Sequence, residues 1–154
     1  MIRKKTGLAS ILMLTIIFSV LVRAAKATAM DFHVSGGNEV TKSLSLAVED
    51  HVLIRFTVVG TSENFLHFFM TYPNGTQIDF GNVGDFNYSF ICSAEGDYIL
   101  HFSNTGSSED KLITLDYEID HYILGLPQML FLAVIIAIIC VVAVAVFIFM
   151  GKPH

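Results

Sequence analysis

Cysteine is nearly absent from the chain, which has two in 154 residues, Cys92 and Cys140. Cys140 lies inside a long apolar run and Cys92 lies far upstream of it, so the pair cannot form an internal disulfide. Small exported domains often lean on such bonds; this one has to stand on its core alone. Cys92 continues an alternation with Phe86, Tyr88 and Phe90, which predicts a buried thiol. Basic residues are scarce as well. All 14 acidic residues fall within residues 30–120, where only Lys42, Arg55 and Lys111 oppose them, a net charge of −11. Phosphate binding needs clustered lysine and arginine, so nucleic acid is excluded as a partner. An acidic surface of this kind reads first as solubility and solvated loops, with attraction of cations or basic proteins as the alternative.

Catalytic patterns are missing too. There is no G-x-S-x-G, no H-E-x-x-H, no C-x-x-C pair and no glycine-rich phosphate loop. His67 and His101 come nearest to a metal pair, on strands expected to be neighbours, yet no third ligand is spaced for them. The acidic pairs Glu49-Asp50, Glu95/Asp97 and Glu109-Asp110 fall in turns without calcium-loop spacing and read as solvated turn residues. The expectation is a chain with no enzyme activity, no cofactor and no metal.

Charge is wholly absent over residues 122–151, and residues 128–150 read QMLFLAVIIAIICVVAVAVFIFM. About 20 apolar residues cross ~30 Å of hydrocarbon, so this segment is a transmembrane helix. It carries no ionisable residue and no proline or glycine break, so it is an anchor and not a transport path. The segment reads first as a plain lipid-facing anchor; the alternative is that Ala133 and Ala137, four apart, let two helices approach closely in a weak homo-oligomer. Phe147 and Phe149 read as interface residues. At the other end, Arg3, Lys4 and Lys5 precede an apolar run from Leu8 to Val22 and an A-x-A site at Ala27-Thr28-Ala29. That pattern is a secretory signal peptide over residues 1–29, with an uncleaved signal anchor as the alternative. Both place residues 30–120 across the membrane, and Lys152 in the tail 151–154 stays cytoplasmic by the positive-inside rule.

Helical periodicity, internal repeats and low-complexity stretches are absent from residues 30–120. Period-two alternation takes their place. Leu44, Leu46 and Val48 form one strand face, followed by Val52, Ile54, Phe56 and Val58. Residues 65–72 are apolar on both faces, as in a central strand. Tyr72-Pro73-Asn74-Gly75 is a tight turn, since proline presets φ at its second position and glycine suits the fourth. Residues 76–80 return, residues 81–85 turn, and residues 86–92 alternate again. Tyr98, Leu100 and Phe102 make a further face, and Ile113, Leu115, Tyr117 and Ile119 the last; residues 30–38, with Gly36-Gly37, read as a lead-in loop. Seven or eight short strands with turns every few residues specify an all-β antiparallel sandwich. Residues 121–127 form a short linker, so the sandwich is expected to sit on the bilayer surface.

Three runs carry a resemblance: Glu49-Asp50-His51-Val52-Leu53-Ile54-Arg55-Phe56, Phe68-Phe69-Met70-Thr71-Tyr72-Pro73-Asn74-Gly75, and Gly96-Asp97-Tyr98-Ile99-Leu100-His101-Phe102-Ser103-Asn104. They resemble the GOLD domain of the p24 (emp24/gp25L) type I membrane proteins of the early secretory pathway. The resemblance implies a jelly-roll-like sandwich and a non-catalytic cargo or assembly adaptor in protein transport. The chain departs from that family in having no partner for Cys92, no coiled coil before the span, and a tail without paired aromatic and lysine signals. The function expected is protein binding by a single-pass membrane protein; a surface module that binds glycans or other small ligands is the alternative.

Two sequons accompany this topology, Asn74-Gly75-Thr76 on the tight turn and Asn87-Tyr88-Ser89 facing out from a strand. Expressed in a glycosylating host, the protein should lose mass on glycosidase treatment. An Asn74→Gln/Asn87→Gln variant should run at the deglycosylated mass from the start.

Overall fold

The computed structural model describes residues 28–150, with side chains through residue 146. The signal-peptide segment up to residue 27, the tail 151–154 and the side chains of Phe147 and Phe149 lie outside the described residues. Eight strands build the folded domain: β1 (Thr28–Val34), β2 (Glu39–Leu46), β3 (His51–Val59), β4 (Leu66–Thr71), β5 (Gln77–Val83), β6 (Asp85–Ile91), β7 (Gly96–Ser103) and β8 (Lys111–Asp120). They form two four-stranded antiparallel sheets, ordered β1-β8-β3-β6 and β2-β7-β4-β5.

The pairing is nested: β1 with β8, β2 with β7, β3 with β6 and β4 with β5. It is as if one long hairpin had been rolled into two layers, the strand order of the jelly-roll kind. The tip of that hairpin is the Tyr72–Gly75 turn. Gly75 has φ 82°, its N–H donates to the Tyr72 carbonyl at 2.9 Å, and the Thr76 N–H donates to Asn74 Oδ1 at 2.9 Å. The residues legible as a turn in the sequence are therefore the point from which both layers propagate.

Alternation puts one face of each strand between the sheets. β3 contributes Val52, Ile54, Phe56 and Val58, while β4 contributes Leu66, Phe68 and Met70 and β7 contributes Tyr98, Leu100 and Phe102; all are buried. Aromatic rings cross the interlayer space in edge-to-face pairs, Phe56–Phe68 at 4.8 Å, Phe68–Phe86 at 4.8 Å and Phe56–Phe102 at 5.1 Å. Such geometry aligns the positive ring edge with a negative ring face and adds about 0.5–1.5 kcal/mol per pair beyond burial.

Several sequence expectations change. Residues 30–38 are not simply a loop, because β1 runs through Val34 and points Met30, Phe32 and Val34 toward the core. Gly36-Gly37 belongs to the turn after it. A Cβ at Gly36 would come within 2.3 Å of the Ser108 backbone, and Gly37 has φ 77°. Val48 lies beyond the end of β2, 51% exposed, because the chain turns at Glu49 with φ 69°. The predicted turn 81–85 shrinks to Gly84, where β5 gives way to β6 and the chain changes sheet. A shift of register opposite Phe68/Phe69 lets Gly81, at φ 73°, sit inside β5 as a bulge.

The other unit holds the apolar helix α1 (Gln128–Met150), preceded by β10 (Leu126–Pro127), which pairs with β9 (Tyr122–Ile123). Leu124 and Gly125 between those strands have φ 53° and 73°, the two positive values of a type I′ turn. The linker expected over residues 121–127 thus contains a minimal hairpin. Its helix has mean hydropathy 3.4 over Gln128–Val146 and buries none of that window, so it is long and apolar enough to cross a membrane.

Phe68 meets four aromatic neighbours and has no exposed surface. Phe68→Ala should therefore cost about 3–5 kcal/mol of stability. Denaturant unfolding of the detergent-solubilised chain, followed by near-UV circular dichroism, measures it.

Candidate interaction surface

The outer face of the second sheet holds both histidines singled out in the sequence. Strand pairing sets His101 of β7 beside Phe69 of β4, and the two rings stack at 4.2 Å and 9°. His67 turns the other way, to Asp79 at 2.9 Å. The two imidazoles are thus brought to one face but not to one site, each with its own carboxylate. Among the described residues no group of three or more His, Cys, Asp or Glu side chains is placed to hold a metal ion.

His101 instead sits within a chain of hydrogen bonds that crosses all four strands. Its Nδ1 meets Glu39 Oε1 at 2.7 Å, its Nε2 meets Thr71 Oγ1 at 3.0 Å, and Gln77 Nε2 donates to that hydroxyl at 3.3 Å. Acid, imidazole and hydroxyl follow one another as in a hydrolase triad. A triad also needs donors aimed at a developing oxyanion. β4 and β7 are interior strands whose N–H groups serve the ladders on both sides, and these side-chain bonds tie β2, β7, β4 and β5 together. Glu39 and His101 are 62 residues apart, and nothing local in the sequence marks them as partners.

Asp50 corrects the expectation of solvated acidic turns. It is 1% exposed, accepts the Ala47 N–H at 2.9 Å and meets His121 Nδ1 at 2.8 Å. Glu109 accepts from the Ser62 N–H and hydroxyl, and Asp110 from the Gly36 N–H, so those acids tie loops together. Cys92 lies beside Asp50 and is buried, as its alternation predicts. Burial first, and then the Asp50 carboxylate, push its thiol up to about 11. Burial and the neighbouring Tyr88 push Tyr72 up to about 12, and burial raises Tyr98 as well.

The outer face of the first sheet carries five carboxylates, against Glu39, Asp79 and Asp97 on that of the second. Period two places Asp116, Glu118 and Asp120 of β8 together on it, flanked by Asp31 of β1 and Asp85 of β6. The basic residues do not balance them. Lys111 is 1% exposed and donates its ammonium to the Phe65 carbonyl, while the Lys42 ammonium lies 4.7 Å from the centre of the Phe32 ring. Arg55 is left to meet this face, bonded to Asp116 Oδ2 at 2.9 Å. The second oxygen of Asp116 is buried and has no hydrogen-bond partner among the described residues. Two shallow grooves run along the face beside β6. One, of about 530 Å³, is lined by His51, Leu53, Ser89, Ile91, Glu118 and Asp120. The other, of about 400 Å³, is lined by Arg55, Thr57, Asp85, Asn87, Thr114 and Asp116.

Asn87 therefore stands on the acidic face, on an exposed position of β6, and Asn74 on the hairpin-tip turn. Ala133 and Ala137 are one turn apart on α1. The composition shows the acidity of the domain, but not that one face would gather five of its fourteen carboxylates while two of its three lysine and arginine side chains turn elsewhere.

No family model matches the chain, and no curated protein matches it. Among solved structures it is similar to the Aeromonas hydrophila PliG, a periplasmic inhibitor of g-type lysozyme, at 17% identity and TM-score 0.47, covering 62% of this chain and 88% of that one. It is similar to the Salmonella Typhimurium PliG at 13% identity and TM-score 0.43, covering 63% and 90%. A de novo designed double-stranded β-helix shares 13% identity at TM-score 0.38, covering 59% and 99%. The scores are too low for function to travel with the likeness.

The raised values have a consequence at alkaline pH. A thiol whose ordinary value is 9.0 and a phenol whose ordinary value is 10.0 hold their protons longer in the fold than in the unfolded chain. Stability should be flat up to about pH 9 and then fall, first through Cys92 and then through Tyr72. Cys92→Ala should flatten the decline between pH 9 and 11. Denaturation midpoints measured across that range check it, and an unchanged slope in the variant would contradict it.

Proposed function

We propose that this chain is a single-pass membrane protein whose non-catalytic β-sandwich, held outside the cytoplasm, binds protein partners. The observation that carries the reading is the acidic outer face of the first sheet. Five carboxylates there face one arginine, and that arginine is already paired. Such a face raises the local concentration of basic partners and speeds their encounter. The apolar helix supports the anchor, and the basic Arg3–Lys5 cluster of the signal-peptide pattern, together with Lys152 just after the helix, supports the orientation. A cargo or assembly adaptor of the p24 kind is the specific role we propose. It asks for a binding face and an anchor and for no reaction.

Photo-crosslinking in native membranes tests this. With the crosslinker at Leu53, on the acidic face, discrete adducts should form and should fade in roughly 0.5 M salt, where charges are screened within a few ångströms. With it at Ser43, on the outer face of the second sheet, adducts should be sparse. Equal and diffuse background from both positions would count against a protein-binding face.

A further inference from the structure

We propose that β6 is a docking edge, to which an extended, basic segment of a partner protein adds as a fifth strand of the first sheet. The inference rests on the protein-binding reading above and names how that binding is made. Among the described residues the fold has four edge strands, β1 and β6 in one sheet and β2 and β5 in the other. An open edge offers unpaired N–H and C=O groups to any other strand, and natural sandwiches blunt it with charge, bulges or inward-pointing cations. Three of these edges are blunted. β5 is bulged at Gly81. β2 carries Lys42 among its inward-facing residues, folded over Phe32 of β1, so that one cation closes the side shared by both edges. β1 also places Asp31 and His33 along its outer face.

β6 has none of these devices. Its register with β3 is unbroken from His51↔Ile91 to Thr57↔Asp85. It contains no proline, no glycine and no lysine or arginine, and its one charge, Asp85, is at its first position. Beyond it the layered core lies open. Phe86, Tyr88 and Phe90 face inward yet remain only half-buried, and with Phe80 they form an aromatic seam, with Phe80–Phe86 at 4.9 Å and Phe80–Tyr88 at 5.0 Å. Outward, Ile91 is 61% exposed. A strand laid on β6 would satisfy its free backbone groups, cover the seam with one set of side chains and bring the other set over the acidic face. That charge decides the occupant. A second copy would set one −11 domain edge to edge against another, whereas a basic segment relieves the repulsion.

The test uses the full chain, produced without glycans and held in detergent, with a short synthetic peptide alternating lysine and valine as probe. Amide hydrogen exchange is read strand by strand. Excess peptide should slow exchange within Asp85–Ile91 by about tenfold or more and leave the β1 and β2 edges unchanged. A peptide alternating glutamate and valine should not. Tyr88→Lys, which copies the guard that Lys42 provides, should abolish the protection, with circular dichroism reporting whether the sandwich is retained. Should that variant unfold, Ser89→Pro, which removes a backbone donor from the strand, serves in its place.

If the peptide protects no β6 amide, edge docking is overturned. The protein-binding reading then stands or falls on the adducts formed at Leu53. If β6 becomes protected with rising protein concentration and no peptide, the occupant is a second copy and the basic segment is overturned.

Discussion

One aromatic layer carries the fold. No disulfide can bridge the sheets, so the two layers are held by what they bury between them, and Phe56, Phe68 and Phe102 stand at the centre of it. The core is densest where the interior strands β8, β3, β7 and β4 face each other. It thins toward β5 and β6, where inward-facing rings stay partly open to solvent. On the opposite side, Lys42 spans the edge and Phe32 packs edge-to-face on Phe102 at 5.1 Å. The two sides of the sandwich are therefore unequal, one closed by a folded-over cation and one left aromatic with no lysine or arginine on its strands.

The polar groups repeat this division. At one end of the sandwich, Asn104 donates its amide to the Val34 and Glu109 carbonyls, and Lys111 caps the Phe65 carbonyl. At the other end, Asp50 joins the turn after β2 to His121 beyond β8. A buried carboxylate or ammonium is costly unless it is bonded, so each of these groups fixes the loops it touches. On the sheet face itself, the Glu39–His101–Thr71–Gln77 chain locks four strands in register. Among the described residues the acidic face of the first sheet has no comparable network, and Asp116 keeps an unsatisfied oxygen there. Bonds of this kind tie up Glu39, His101, Asp50, Glu109 and Asp110, whereas of the five carboxylates described on the first sheet's outer face only Asp116 meets a cation, Arg55.

Much of the sandwich was legible in the sequence because its signal is local. Alternation at Val52–Val58 and at Tyr98–Phe102 marks strands whatever they pair with, and Pro73-Asn74-Gly75 marks a turn. β1 escaped because its alternation is short and the Gly36-Gly37 pair beside it is a stronger, opposite signal. The sheet order was not legible, since nested pairing joins residues as distant as Thr28 and Tyr117. The candidate surface was legible only in part. Its charge could be counted, but its concentration on one face depends on β8 lying beside β3 and on the withdrawal of Lys42 and Lys111. The state of β6 as an unguarded edge is likewise a property of sheet order and not of its seven residues.

On the reading proposed above, the apolar helix anchors the chain in a membrane and the first sheet meets a partner through its acidic face and its open edge. The most direct test compares amide exchange in β6 between the protein in its native membranes and the same protein purified away from them. The account predicts that Asp85–Ile91 exchanges more slowly in the native membrane and speeds up on purification, while the edges β1 and β2 exchange alike in both. Equal exchange of β6 in the two settings would contradict it.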